Sequence, residues 1–430
     1  MRAIYSLAWL LLLPFAFLYL IWRARRQPEY LQHWSERLGW IRPWTGRRRL
    51  WIHAVSVGET RAAAPLIAAW RAQHPEAAIL LTHATPTGRE TGLALFGETI
   101  EQAYLPYDIP PLVRMFLRRA RPTQGVIMET ELWPNLFAAC KARNVPLFLV
   151  NARLSERSAK GYARFRWLVA PALQSLSGVS AQTSRDGERL TALGASQVQI
   201  NGNLKFDVSA PADVAQRAEA LRDRFGERFV WLAASTREGE EVLLLDVLDR
   251  LDMSDVLLVL VPRHPQRFEE VARLIAARGK PWSRRSRPAG QADESLETST
   301  SPDIRIFLGD SMGELAAYYA AADVAYIGGS LLPFGGQNLI EAAAAGCPAL
   351  IGPHTWNFSE AAEQAVDAGA AMRVADAAAL SSALRDLHDN TAARKNMAEA
   401  GRRFADINRG ATARTVKLLD TAWVAEKPID

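Results

Sequence analysis

Short apolar runs recur along this chain, and most end in a turn rich in glycine, proline or small polar residues before a helix-favouring stretch. Trp51–Thr60 (Trp-Ile-His-Ala-Val-Ser-Val-Gly-Glu-Thr) opens the series and hands over to an Ala-rich segment, Arg61–Arg71. Further runs at Ala78–His83, Ala103–Pro106, Gly125–Met128, Pro146–Val150, Gly178–Gln182 and Val198–Ile200 predict buried strands. Pro110–Arg119 predicts a helix with Leu112, Met115 and Phe116 on one face and Arg114, Arg118 and Arg119 on another. Strands alternating with helices in this way predict a parallel α/β sheet.

The rhythm breaks at Asn201-Gly202-Asn203 and restarts at Phe229–Ala234. Val256–Val261, Ile304–Leu308, Val324–Ile327 and Pro348–Ile351 then predict a second set of strands, with a helical tail from Ala377, one helix of which can pack back on the first domain. The expected organisation is an anchor over 1–26, a domain over 27–207, a linker over 208–227 carrying a polar helix at Pro211–Arg224, and a second domain over 228–430. Arg284–Pro302, rich in Ser, Arg, Glu and Thr, reads as a surface loop.

The N-terminus departs from this pattern. Ala3–Trp22 is 20 residues without a charge, enough to span the hydrocarbon core as a helix. Arg23, Arg25 and Arg26 follow, against Arg2 alone on the other flank, which places the rest of the chain in the cytoplasm. The rival readings are a cleaved signal peptide, which the long run and the flank of the charges disfavour, and a helix lying in the interface against an apolar patch of the folded domain. Leu31–Trp44 predicts a short juxtamembrane helix.

Composition adds bounds. A chain of 430 residues, 49% hydrophobic and 23% charged, is the size of two domains, each able to bury a core. The two cysteines, Cys140 and Cys347, are too far apart for metal-ligand spacing. A net charge of +5 suits anionic or phosphorylated partners or a membrane surface and is too small to argue for nucleic acid.

In parallel sheets ligands bind at the carboxyl ends of the strands, so the turns there carry the candidate chemistry. Glu59 starts a helix, where the dipole favours a carboxylate, and is a candidate general base; the same position equally suits a simple cap. Glu129 and Glu131 follow the Gly125–Met128 strand, either shaping a cleft or standing as surface acids before a helix. Lys205 is placed to neutralise an anion or a leaving group, or is a linker lysine. Arg157, Lys160, Arg164 and Arg166 are phosphate-binding candidates or a solvated face. Pro262-Arg263-His264-Pro265 sets an arginine at a strand end, and Gly309–Glu314 permits close ligand approach without a Walker lysine. Gly328-Gly329-Ser330 and Gly335–Glu341 are the richest signal. There a helix starting near Asn338 offers free N–H groups to phosphate and Glu341 can accept from ribose hydroxyls, while Asn338 with Glu341 also reads as a capping box.

Taken together, the anchor, His53–Thr60, Met128–Asn135, Asn201–Asp207, Val261–Phe268, Gly309–Glu314, Gly328–Glu341 and Gly352–Phe358 resemble the 3-deoxy-D-manno-oct-2-ulosonic acid (Kdo) transferases of lipopolysaccharide biosynthesis. The resemblance implies a GT-B fold, two Rossmann-like domains facing across a cleft, on the cytoplasmic side of a Gram-negative inner membrane. It implies CMP-Kdo as donor substrate, a lipid A precursor (lipid IVA) as acceptor, inversion at the anomeric carbon, and neither metal nor cofactor. It assigns Glu59 as catalytic base, Glu131 and Lys205 to support of the transition state, and Pro262, Arg263, Met312, Gly313, Glu314, Asn338, Leu339, Ile340 and Glu341 to CMP binding. No Asp-x-Asp metal motif stands out. A glycosyltransferase using a UDP-sugar and a membrane-tethered nucleotide-binding protein are the other classes the residues allow.

Overall fold

The structure, a computed structural model, describes residues 2–25, 27–46, 48–208, 210–286 and 303–423. Arg26 of the basic flank and 287–302 of the expected loop lie outside the described residues. The chain forms two compact units, Met1–Val208 with Asn408–Asp430, and Ser209–Ile407.

The first unit is built on seven parallel strands: β1 (Arg49–His53), β2 (Ala78–His83), β3 (Glu101–Tyr104), β4 (Gln124–Met128), β5 (Leu147–Ala152), β6 (Gly178–Ala181) and β7 (Val198–Ile200). Their spatial order is β3-β2-β1-β4-β5-β6-β7, so strand order reverses beside β1, where β1 pairs with β2 on one side and β4 on the other. Helices cover both faces, and for that reason β1 reads as a continuous buried run rather than an alternating one. Leu50 and Ile52 join Ala62, Ala63, Leu66 and Trp70 of the Val57–Gln73 helix in one core layer. Trp51 points the other way, its ring meeting Phe116 of the Pro110–Ala120 helix edge to face at 5.3 Å. Each such side chain contributes about 1.5–3 kcal/mol by burial.

The second unit repeats the plan with β8 (Phe229–Thr236), β9 (Val256–Pro262), β10 (Trp282–Arg284), β11 (Ile306–Leu308), β12 (Val324–Ile327), β13 (Ala349–Ile351) and β14 (Ala371–Arg373). Their order is β10-β11-β9-β8-β12-β13-β14, all parallel, reversing between β8 and β12.

Four expectations need correction. The helical tail does not all stay with the second unit: past Ile407 its described residues belong to the first. The Ala411–Asp420 helix buries Ala411, Val416, Leu418 and Leu419 in the first unit's core, and Asp207 accepts hydrogen bonds from Gly410 N (2.7 Å) and Thr412 N (2.6 Å). Residues 208–227 are not a bare linker: the Val214–Phe225 helix packs Phe225 against Phe307 (5.1 Å) and pairs Arg222 with Asp323 (3.1 Å) inside the second unit. Leu31–Trp44 is not one helix but 3-10 turns at Pro28–Leu31 and Trp34–Leu38, ended by Gly39 at φ +84°. Edge strands β10 and β14, with no apolar run to mark them, were not expected.

The N-terminal helix, Arg2–Ala24, is long and apolar enough to cross a membrane, and of its residues only Leu20 is buried. One side touches the first unit: Ser6 Oγ lies 3.2 Å from Asn135 Oδ1, and Trp9 and Phe17 stack on Tyr107 at 5.8 and 6.1 Å.

Candidate functional site

In the first unit the turn after β1 carries Glu59. Ser56 caps the Val57–Gln73 helix, and Glu59 answers it: Oε1 accepts from Ser56 Oγ (2.9 Å) and Oε2 from Val55 N (2.8 Å). Glu59 therefore is a helix cap, yet it is an unusual one. It keeps only 8% of its surface, and its pKa is pushed up to about 7, by burial first and then by the nearby charges of Glu129 and Glu131, against the two hydrogen bonds. The sequence suggests a carboxylate held ionised by the helix dipole; burial among acids outweighs that dipole.

Glu129 is the first residue past β4 and adopts φ +54°, a left-handed backbone rare for a side chain with a Cβ. Such geometry costs about 1–3 kcal/mol and concentrates at functional sites. Its backbone N–H still joins the ladder, to Val150 O at 2.8 Å, while its carboxylate lies 3.2 Å from Lys205 Nζ. Lys205 sits on the Leu204–Asp207 3-10 turn, which Asn151 fixes by accepting from Leu204 N at 3.0 Å; Asn151 is fully buried and also left-handed, at φ +56°. Glu131 is half-buried and its pKa is raised by burial and by Glu129.

The first unit thus brings Glu59, Glu129, Glu131 and Lys205 into one electrostatic neighbourhood, with Glu129 holding the lysine. The sequence offers Glu129 and Glu131 together, and the resemblance assigns a role to Glu131 alone. The signal that finds Glu129 is its position directly at the strand end, where a side chain emerges on the carboxyl edge. The Glu156–Arg164 helix with its cations buries nothing, and Lys160 pairs with Glu156 at 2.6 Å.

In the second unit the expected nucleotide segments lie at the carboxyl ends of β9, β11 and β12. Arg263 N donates to Thr236 O at 3.1 Å, tying the turn after β9 to the end of β8. Glu314 is 8% exposed and its carboxylate is held by Arg285 (2.9 and 2.8 Å) and Ser311, which lowers its pKa. The 312–314 turn therefore presents outward the exposed Met312 and the backbone at Gly313, φ +80°. Leu339 and Ile340 are buried and pin the next segment, leaving Asn338 and Glu341 as its half-buried polar members. Asn338 accepts from Ile340 N (3.1 Å) and donates to Glu341 Oε1 (2.9 Å), a local side-chain pair in place of the expected capping box: the helix starts at Ile340, not at Asn338, has Leu339 as its N-cap without a side-chain cap, and runs only to Ala345. Gly335 and Gly336, at φ +92° and +76°, form the turn before it.

One residue there went unforeseen. Glu240, fully buried, accepts from Tyr326 Oη (2.5 Å), Gly329 N (2.6 Å) and Arg237 N (2.9 Å), and so clamps the end of β8 to the glycine turn after β12. His354 N donates to Ser330 O (2.9 Å), a structural contact. Among the described residues no group of three or more His, Cys, Asp or Glu is arranged to hold a metal ion.

Comparison with known proteins bears on this arrangement. A family profile described as 3-deoxy-D-manno-octulosonic-acid transferase (kdotransferase) matches residues 32–208, and one for glycosyl transferases group 1 matches 289–404. The chain is 42% identical to the 3-deoxy-D-manno-octulosonic acid transferase of Bordetella pertussis, over 97% of this chain and 99% of that one. It is 35% identical to the enzyme of the same name from Haemophilus influenzae, over 92% of each. Among solved structures, a UDP-GlcNAc 2-epimerase from Neisseria meningitidis covers 87% of the chain with a TM-score of 0.61 at 14% identity. A glycosyltransferase from Rickettsia africae covers 89% with a TM-score of 0.59 at 14% identity. Both share the two-unit GT-B-like fold. With identity this high over nearly its whole length, the chain belongs to the 3-deoxy-D-manno-octulosonic acid (Kdo) transferases, glycosyltransferases of lipopolysaccharide biosynthesis.

Proposed function

We propose that the enzyme transfers Kdo from CMP-Kdo to a hydroxyl of a lipid A precursor, lipid IVA, with inversion and with Glu59 as general base. The observation that carries this is Glu59 itself: a buried carboxylate whose pKa is pushed up to about 7 is matched to accepting a proton at cellular pH. In the proposed step Glu59 takes the proton of the acceptor hydroxyl, that oxygen bonds to the anomeric carbon of Kdo, and the bond to the CMP phosphate breaks, the electron pair leaving with CMP. A nucleotide-activated sugar needs no further activation, so the protein's contribution is the base and charge stabilisation. Lys205, steered by Glu129, offsets the negative charge that accumulates around Glu59 once it is ionised. Pro262, Arg263, Met312, Gly313, Glu314, Asn338, Leu339, Ile340 and Glu341 form the CMP-binding turns, several of them through backbone and packing. The reaction runs without a metal or cofactor. The N-terminal helix anchors the enzyme in the inner membrane, and Arg23 in its last turn and Arg25 just past it keep the catalytic units on the cytoplasmic side. Incubating the purified enzyme with CMP-Kdo and a tetra-acylated lipid A precursor, then weighing the product, tests this. A product heavier by Kdo supports it; no mass change, or transfer from a UDP-sugar instead, refutes it.

A further inference from the structure

The central strand of the second unit, β8, ends beside the point where strand order reverses, and Arg237 is the residue that emerges there. Its backbone is locked by the buried Glu240 carboxylate, which takes Arg237 N and Gly329 N on the same oxygen. Its side chain is held from two other loops. The guanidinium carbon lies 4.8 Å from the ring centre of Phe334, on the glycine-rich turn after β12. Nη1 lies 3.1 Å from Nε2 of His264, on the turn after β9. A guanidinium only donates, so His264 accepts through Nε2 and carries its proton on Nδ1. Burial, then the charges of Arg237, Arg263 and Arg267, lower the His264 pKa and keep that ring neutral.

What distinguishes Arg237 is charge balance. Arg267 is paired with Glu241 and Glu270, Arg284 with Asp310 and Glu269, and Arg285 with Glu314. Among the described residues no carboxylate pairs with the Arg237 guanidinium, whose contacts are an aromatic face and a neutral imidazole. Three loops thus orient a planar fork of donors, half-buried, at the carboxyl edge of the sheet, and leave its charge unanswered. That is how a receptor for a planar anion is built.

We propose that Arg237, oriented by His264 and Phe334, binds the carboxylate of the transferred sugar acid. This rests on the donor reading above. An activated oct-2-ulosonic acid carries two anions, the phosphate ester and a carboxylate on the anomeric carbon. The phosphate falls to the turns proposed above to bind CMP, and the planar guanidinium suits the planar carboxylate. The pair then selects ulosonic acids over neutral sugars, because a neutral sugar leaves the oriented cation without its partner. Arg237 touches substrate in this scheme; His264 is a positioning residue.

The test compares wild type with Arg237→Met, Arg237→Lys, His264→Ala and His264→Gln in two measurements: the dissociation constant for CMP, and KM and kcat for CMP-Kdo. Loss of a charged hydrogen bond predicts a donor KM about tenfold to a hundredfold higher in Arg237→Met, partly restored in Arg237→Lys. CMP affinity stays within about twofold, which also shows that the unit is folded. His264→Ala raises KM less, and His264→Gln, whose amide oxygen still accepts, recovers most of it. Parallel loss of CMP affinity and donor KM assigns Arg237 to the phosphate and overturns the proposal. An unchanged donor KM in an enzyme whose wild type transfers Kdo overturns this inference alone, whereas a wild type that transfers no Kdo overturns the donor reading and this inference with it.

Discussion

Glu59→Gln separates the two roles of that residue, cap and base. The amide keeps the shape and one accepting oxygen, so the hydrogen bond from Val55 N survives and Ser56 Oγ can turn to accept. The charge is lost. Glu59 moves from an ordinary 4.5 to about 7 on folding, mostly through burial. At 1.36 kcal/mol per pKa unit, ionising it in the folded protein costs roughly 3 kcal/mol more than in the unfolded chain. The folded value lies above the unfolded one, so the stability it contributes is complete below 4.5 and is lost as pH rises through about 7. Glutamine never ionises and escapes that loss. At pH 8 the Glu59→Gln enzyme is therefore expected to melt higher than wild type by about 5–10 °C, while at pH 5 the two melt nearly together. Transfer is expected to fall by roughly 10²–10⁴, the usual worth of a general base. The wild-type kcat/KM rises with pH through an inflection near 7, since the ionised form accepts the proton, and the inflection is absent in the variant. Thermal melts at the two pH values and a pH–rate profile decide the matter. A variant that is less stable than wild type at pH 8, or that keeps full kcat, refutes the reasoning.

Other outcomes follow from the same site and its supports. Glu129→Gln removes the largest charge pushing Glu59 up, so the rate inflection moves below its wild-type position, read from the same profile. Gly328→Ala sets a Cβ 2.4 Å from Ser235 O, a backbone clash expected to cost about 1–3 kcal/mol or more in urea titration. Asp207→Ala frees Gly410 N and Thr412 N and loosens the final helix by about 1–2 kcal/mol, seen as faster amide exchange over 411–420. Deleting residues 2–25 moves the protein from the carbonate-resistant membrane fraction toward the soluble one. Excess EDTA leaves the rate of Kdo transfer unchanged.

Most of the fold was legible because buried parallel strands announce themselves as apolar runs. β1, β2, β4, β8 and β9 are buried nearly throughout. The edge strands β10 and β14 carry Trp-Ser-Arg and Ala-Met-Arg, short and partly polar, and gave no such signal. That one helix of the tail returns to the first unit was an open reading, but which one was not legible, because the apolar stripe of Ala411–Asp420 states that it packs, not on what. Its burial in the first unit's core and the contacts from Asp207, some 200 residues earlier, decide that. The site divides in the same way. Glu59 was found because strand, glycine and acid are adjacent in sequence. Its raised pKa was not, because that depends on burial in the folded unit first and then on acids from another strand end.

The choice between Glu129 and Glu131 shows where that limit lies. Two residues apart, both follow the same strand, and spacing alone cannot separate them. What separates them is a backbone torsion and a partner: Glu129 sits at φ +54° and meets a lysine on a turn that a second left-handed residue, Asn151, holds in place. Two left-handed residues converging on one lysine is a costly arrangement, roughly 1–3 kcal/mol each, and the Asn151 one falls at the irregular register between β5 and β6. A cation fixed in this way favours the ionised form of Glu59, the form that accepts the hydroxyl proton, at a strand edge already crowded with acids. Lys205→Met would leave Glu59 beside Glu129 and Glu131 without the cation that Glu129 holds, pushing its pKa further up and the rate inflection above its wild-type pH, opposite in sign to Glu129→Gln. If the two variants shift the profile in the same direction, the electrostatic reading of this cluster is wrong.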